Sequence, residues 1–192
     1  MVGESSSGAQ TQAISSGSAT EITIAIAKTA TSISVPVTVS LNATKSKGTF
    51  KYYYKNNFGN WETKGETGTA TVWFDNVYAA VSLMVNGTQK ARWHTSSFSS
   101  SSGSNSINES TTLNATFSAG STIKIQVNLF YNRYDDTTSS GYYEWRYVGG
   151  ATHPSGTITV SSKYSVSGET VISTGSAFFL VLDANSSAYT VD

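Results

Sequence analysis

Cysteine is missing altogether from the 192 residues, and with it go disulfide bridges, thiolate metal sites and thiol nucleophiles. Stability has to come from packing. Histidine is nearly as scarce: His94 and His153 are the only two, and neither has a second His, Cys or acid at ligand spacing, which argues against zinc or iron. Charged side chains make up 12% of the chain, and twelve basic residues cancel twelve acidic ones. A neutral chain sets up no field to gather nucleic acid or anionic lipid. The longest apolar run, residues 177–182 (AFFLVL), falls far short of the roughly 20 residues that cross a bilayer, so no membrane span is expected. Residues 1–8 show neither the basic opening nor the apolar segment of a secretory signal. Helical periodicity and internal repeats are absent too, which argues against bundles, solenoids and propellers.

What remains is a chain rich in hydroxyls and rings. Serine and threonine together account for about 30% of it, with eleven Tyr, eight Phe and four Trp against two Pro, a composition suited to strands and polar loops. The clearest pattern is residues 33–41 (ISVPVTVSL), where Ile33, Val35, Val37, Val39 and Leu41 alternate with smaller residues. Period two sends the branched set to one core face. Pro36 has no N–H to give a neighbour, which predicts an edge strand or a bulge at this point.

Further alternating stretches predict strands at 22–26, paired with 33–41 through a short connection, at 49–55 and 61–64 as a hairpin around residues 56–60, and at 69–74 and 77–85. Asn86-Gly87 leads from 77–85 into 88–93, the strongest short hairpin signal, because both residues accept the positive φ of a type I′ turn. Residues 95–111 read as a mobile serine-rich loop. Stretches 112–117 and 122–129 predict another hairpin, with Ile123, Ile125, Val127 and Leu129 on one face. Strands are also expected at 142–148, 157–160, 170–172, 176–182 and 187–191. Ten to twelve short strands at near-regular spacing predict an all-β fold, a single β-sandwich of jelly-roll type over residues 19–192. Residues 1–18 have almost nothing to bury and predict a flexible N-terminal arm.

Few constellations could carry chemistry. No Gly-x-Ser-x-Gly elbow occurs. Asp135 and Asp136 sit beside hydroxyls but supply few ligands for calcium, and loop acids are usually just solvated. Glu62 and Glu144 lie among aromatics, the minimum for two-carboxylate glycoside hydrolysis. In length and in Tyr, Ser, Thr and Trp content the chain resembles the small β-jelly-roll xylanases, whose glutamate-bearing strand motifs it lacks. Arg146, two residues beyond Glu144, points instead to a surface ion pair. Lys45, Lys47, Lys51 and Lys55 interleaved with Tyr52, Tyr53 and Tyr54 suggest a base-stacking platform, but solvated lysines on an outer strand face are the simpler account. Tyr143, Trp145 and Tyr147 share one strand face and serve either as core or as a ligand or interface platform. Asn42, Asn86, Asn108, Asn114 and Asn185 each open an Asn-x-Ser/Thr glycan acceptor pattern, close to the number that chance gives in so hydroxyl-rich a chain.

These features predict a non-enzymatic structural subunit with no catalytic residue, cofactor or metal, self-associating through edge strands or the N-terminal arm and contacting other virion or surface proteins but no nucleic acid. The composition is similar to that of virion capsid, turret and tail proteins and of cell-surface filament subunits, and the expected location is a virion or an extracellular surface. A carbohydrate-binding or receptor-binding lectin-like module is the second expectation. A jelly-roll glycosidase is the third.

Overall fold

The computed structural model describes residues 2–167, 169–174 and 178–183. In chain order its strands are β1 (Val2–Ile14), β2 (Thr20–Ile24), β3 (Ala30–Thr44), β4 (Ser46–Lys55), β5 (Trp61–Glu62), β6 (Thr67–Val85) and β7 (Thr88–His94). They continue with β8 (Ser104–Thr116), β9 (Ile123–Asp135), β10 (Tyr143–Gly149), β11 (Ser155–Ser167), β12 (Glu169–Thr174) and β13 (Phe178–Asp183). No helix occurs among the described residues. The expected strand at 187–191 and the acceptor Asn185 lie outside them.

Two antiparallel sheets face each other across one main core. Sheet A runs β1-β11-β3-β8, and sheet B runs β10-β4-β6-β9-β2, with β5 on β4 and β7 on β6. With β4, β5 and β10 set aside, the other eight strands pair as β1-β11-β3-β8 and β2-β9-β6-β7. That order, in which the chain passes repeatedly from one sheet to the other, is the jelly roll expected from the sequence. The alternation in β3 works as read: Ile33, Val35, Val37, Val39 and Leu41 are all buried, against Ile123, Ile125 and Val127 of β9 and Val81 and Leu83 of β6. β12 and β13 form a separate two-stranded sheet, and β12 passes beside β1 without joining its ladder.

Several expected pairings are overturned, mostly because adjacent strands belong to opposite sheets. β2 pairs with β9, not with β3. The 112–117 and 122–129 stretches cross from sheet A to sheet B instead of forming a hairpin, although Ile123, Ile125 and Val127 face the core as expected. Amphipathic alternation fixes which face is buried, but either sheet can supply the cover. The 69–74 and 77–85 stretches are one strand, β6, broken only by a bulge between Asp75 and Tyr78 where Asn76 takes a φ of 53°. The Asn86-Gly87 turn is as expected, with φ of 50° and 78°.

The strand bearing Pro36 is interior, between β11 and β8. Pro36 stays in register with Thr112 of β8, while the ladder to β11 lapses between Ser34 and Val37. The missing N–H is thus absorbed as a short gap, without an edge or a register shift. Residues 2–14, expected as a flexible arm, form β1 along β11. A strand needs only main-chain partners to pair, so polar composition does not forbid it. Ile14 supplies an apolar anchor, at 1% exposure, and hydroxyl pairs Ser7–Ser162 and Thr11–Thr159 lie 2.7 and 2.8 Å apart.

The serine-rich stretch is likewise ordered. β8 begins at Ser104, and the loop before it is pinned by buried hydroxyls: Ser100 Oγ accepts the Phe74 N–H at 3.0 Å and Thr95 Oγ1 accepts that of Ala79 at 3.1 Å. β11 passes very close to β3 at Gly156, where an added Cβ would collide with the Ser40 carbonyl oxygen and lie 2.8 Å from Leu41 Cδ2. Gly156→Ala is therefore expected to cost about 3 kcal/mol by overpacking, lowering Tm by roughly 6–12 °C in a thermal melt.

Candidate functional site

The inserted strands β4, β5 and β10 lengthen sheet B beyond sheet A. β7 covers the far half of β6, at residues 80–85, while β4 pairs with its beginning, at residues 67–72. The second core cluster formed there, Phe50, Val72, Phe74 and Val77, receives only Ala43 from the strands of sheet A. Among the described residues, inward-facing side chains beyond Ala43 receive no partner from the strands of sheet A. This answers the question posed by the aromatic stripe of β10. Tyr147 packs into the cluster, edge-on to Phe50 with centroids 5.4 Å apart, and Trp145 sits at its boundary. Tyr143 lies further out, stacked at 6.2 Å on Tyr52, which also tilts against Trp145 at 5.1 Å. The stripe is core at one end and overhang at the other.

Within the overhang a cleft of about 330 Å³ is lined by Phe50, Gly68, Thr69, Ala70, Trp145 and the 136–138 segment. Gly68 makes room for the tryptophan, since a Cβ there would lie 3.0 Å from Trp145 Cζ3. Asp136 forms the polar wall. Its Oδ1 accepts the Thr71 N–H at 2.7 Å, and its own N–H donates to the Thr71 carbonyl. Hydrogen bonding from Thr71, with Lys47 nearby, holds the carboxyl below its ordinary range, so it is ionised at neutral pH.

The opposite face of the same strands carries cations over rings. Arg146 lies 4.1 Å from the Tyr53 centroid and Lys55 5.2 Å from that of Trp61, arrangements that keep the rings covered. Between β4 and β5, Asn56 Oδ1 accepts the N–H groups of Phe58 and Asn60, while its Nδ2 donates to Glu62 at 2.5 Å. The tightly bonded turn presents Phe58 at 88% exposure; Tyr142, at 78%, is held to the same hairpin where its carbonyl accepts the Lys55 N–H.

The register separates the two glutamates. Glu144 is paired with Tyr53 and Glu62 with Tyr54, and successive residues of one strand point to opposite faces. Glu62 and Glu144 therefore lie on opposite faces of sheet B and cannot flank one glycosidic bond. Glu144 pairs with Arg146 at 2.5 Å, and Glu62 accepts the Tyr54 hydroxyl at 3.1 Å. That bond raises the Tyr54 pKa above its ordinary 10.0. In a spectrophotometric titration, Glu62→Gln should bring the highest tyrosine transition down toward the ordinary value.

The remaining candidates are dispersed. His153 bridges Tyr131 and Tyr147 hydroxyls at 3.0 and 3.4 Å, while His94 bonds the Thr95 carbonyl oxygen. Asp135 accepts the Thr137 hydroxyl at 2.5 Å, and no metal-holding cluster exists among the described residues. Lys47 donates to Thr71, Lys45 lies over Trp73, and Lys51 and Lys55 lie over Tyr53 and Trp61, so each lysine is engaged with a neighbour on its own sheet. Asn86 is held by Ser121 and by the Thr122 N–H. Asn42, Asn108 and Asn114 are exposed on the outer face of sheet A, where their carbonyl oxygens accept the hydroxyls of Ser155, Ser40 and Ser34.

Sheet A itself differs sharply from sheet B. Its four strands contain only Glu4, Glu109 and Lys163 as charged residues. Among the described residues its ladder ends at β1 and β8, each 13 residues long, with β12 lying beside β1. Among the described residues, no backbone hydrogen bond ties β8 to any strand but β3.

Gly68, Thr137 and Thr138 were not singled out by sequence, and no local pattern marks them, since their roles depend on β6, β10 and the 136–138 segment meeting. No protein-family profile matches the chain, and no curated protein matches it in sequence.

Proposed function

We propose that this chain is a non-enzymatic structural subunit of a repeating external assembly, a capsid, turret or tail component of a virion or a cell-surface filament subunit. The observation carrying this reading is the pair of weakly charged strands, β1 and β8, that end the sheet A ladder among the described residues. Natural sheets usually blunt an edge with Lys, Pro or inward charge, because unpaired N–H and C=O groups recruit further strands. β1 and β8 contain no Lys, Arg or Pro and one glutamate each. The margins of sheet B, by contrast, carry Glu21 on β2, Lys90 and Arg92 on β7, and Glu144 and Arg146 on β10.

Sense and length also agree. Every pair in sheet A is antiparallel, so its two margins run in opposite directions, and a neighbour moved sideways sets its β8 antiparallel to β1. Such a contact is heterologous and propagates into a ring or filament. Main-chain hydrogen bonds supply the attraction, and a single glutamate on each strand keeps repulsion small. Light scattering and electron microscopy of the purified chain test it: regular multimers are expected, and a monodisperse monomer at every concentration would overturn it.

A further inference from the structure

We propose that the overhang cleft between Trp145 and Asp136 binds a neutral saccharide, one or two pyranose rings at a time. The inference is independent of the assembly reading, since the cleft lies on sheet B, away from both margins of sheet A. Its volume, about 330 Å³, is at the small end of ligand clefts. The floor is aromatic, with Trp145 laid over the bare backbone of Gly68 and braced by Tyr52 at 5.1 Å. A ring fixed in this way loses little freedom when a ligand packs on it. The wall is polar: the Asp136 carboxylate, tied to Thr71 through one oxygen, with Thr137 and Thr138 beside it.

The combination selects among ligand classes. An apolar peptide would strip water from an ionised carboxylate without replacing its hydrogen bonds, which is costly. A nucleic acid strand would bring phosphate toward the same charge. A pyranose satisfies both surfaces, packing its C–H face on the indole while its hydroxyls donate to the Asp136 carboxylate and exchange bonds with the threonine hydroxyls.

The test uses the full chain with hexaoses of β-1,4-linked glucose, β-1,4-linked xylose, α-1,4-linked glucose and β-1,4-linked galactose as probes, followed by isothermal titration calorimetry and tryptophan emission. Saturable binding of at least one probe is expected, with a Kd of about 1 mM or below and a change in indole emission. Asp136→Asn should weaken that binding at least tenfold with little change in Tm. Trp145→Ala should abolish both signals. Trp61→Ala, on the opposite face, should keep the affinity. Failure of all four probes, or unchanged affinity in Asp136→Asn, would overturn the assignment. Because Trp145 also touches the second core cluster, Asp136→Asn decides the matter if the alanine variant does not fold.

Discussion

Val37→Asp should unfold the domain at room temperature, whereas Thr38→Asp should melt within a few degrees of the parent. The two residues are neighbours on β3, yet Val37 is 1% exposed between the sheets while Thr38 lies on the outer face, its hydroxyl 2.8 Å from that of Ser110. Burying an unpaired carboxylate costs about 3–5 kcal/mol, and removing a buried valine adds about 1.5–3 kcal/mol. The sum is comparable with the whole stability of a domain, about 5–15 kcal/mol. At position 38 an aspartate stays solvated, and its poorer strand propensity costs about 1 kcal/mol, or roughly 2–4 °C in Tm. Circular dichroism melts of both variants check the assignment. Equal melting temperatures would show that β3 does not separate a core face from a solvent face.

The second large effect concerns assembly. Placing lysines on the free margin with Ser110→Lys and Thr112→Lys together should weaken association by at least about a hundredfold, about 2.8 kcal/mol, while leaving Tm almost unchanged. Both side chains are exposed on β8, so the fold tolerates the charge. A joint with β1 of a neighbour does not, because each added strand would desolvate two ammonium groups against a strand whose one acid is Glu4. Lys90→Ser and Arg92→Ser on β7, a margin of sheet B, serve as the control and should leave the particle size unchanged. Light scattering resolves the difference. Assembly that survives the β8 lysines would move the subunit contact away from the sheet A margins.

Some of this architecture was legible before any coordinates. Alternation in 33–41 and 123–129 identified buried faces, because a strand's side chains have a period of two whatever partner lies alongside. The positive φ demanded at Asn86 and Gly87 identified a hairpin, since that requirement is local to the two residues. The number and spacing of strands, with no helical period, indicated an all-β sandwich or jelly roll, and the strand order decided between them. The margins of sheet A were only half legible: their low charge, one glutamate each, is written in β1 and β8, but the edge was expected at Pro36, where the structure has an interior strand.

Only the tertiary structure decided what covers each face and what lies beside it. β2 joins β9 and β8 joins β3 through long-range ladders that no short-range pattern encodes. β1 is a strand because β11 offers it main-chain partners, a property of the sheet that composition cannot express. The glutamates were separated in the same way, since the opposite orientations of Glu62 and Glu144 follow from the register of β10 and β5 on β4. The sequence by itself determined a net-neutral, strand-rich chain with few charges and one face of each strand destined for burial, because those properties belong to single residues and their period. The overhang, its cleft and the two open margins came from tertiary structure, because they exist only where strands distant in sequence end at different places.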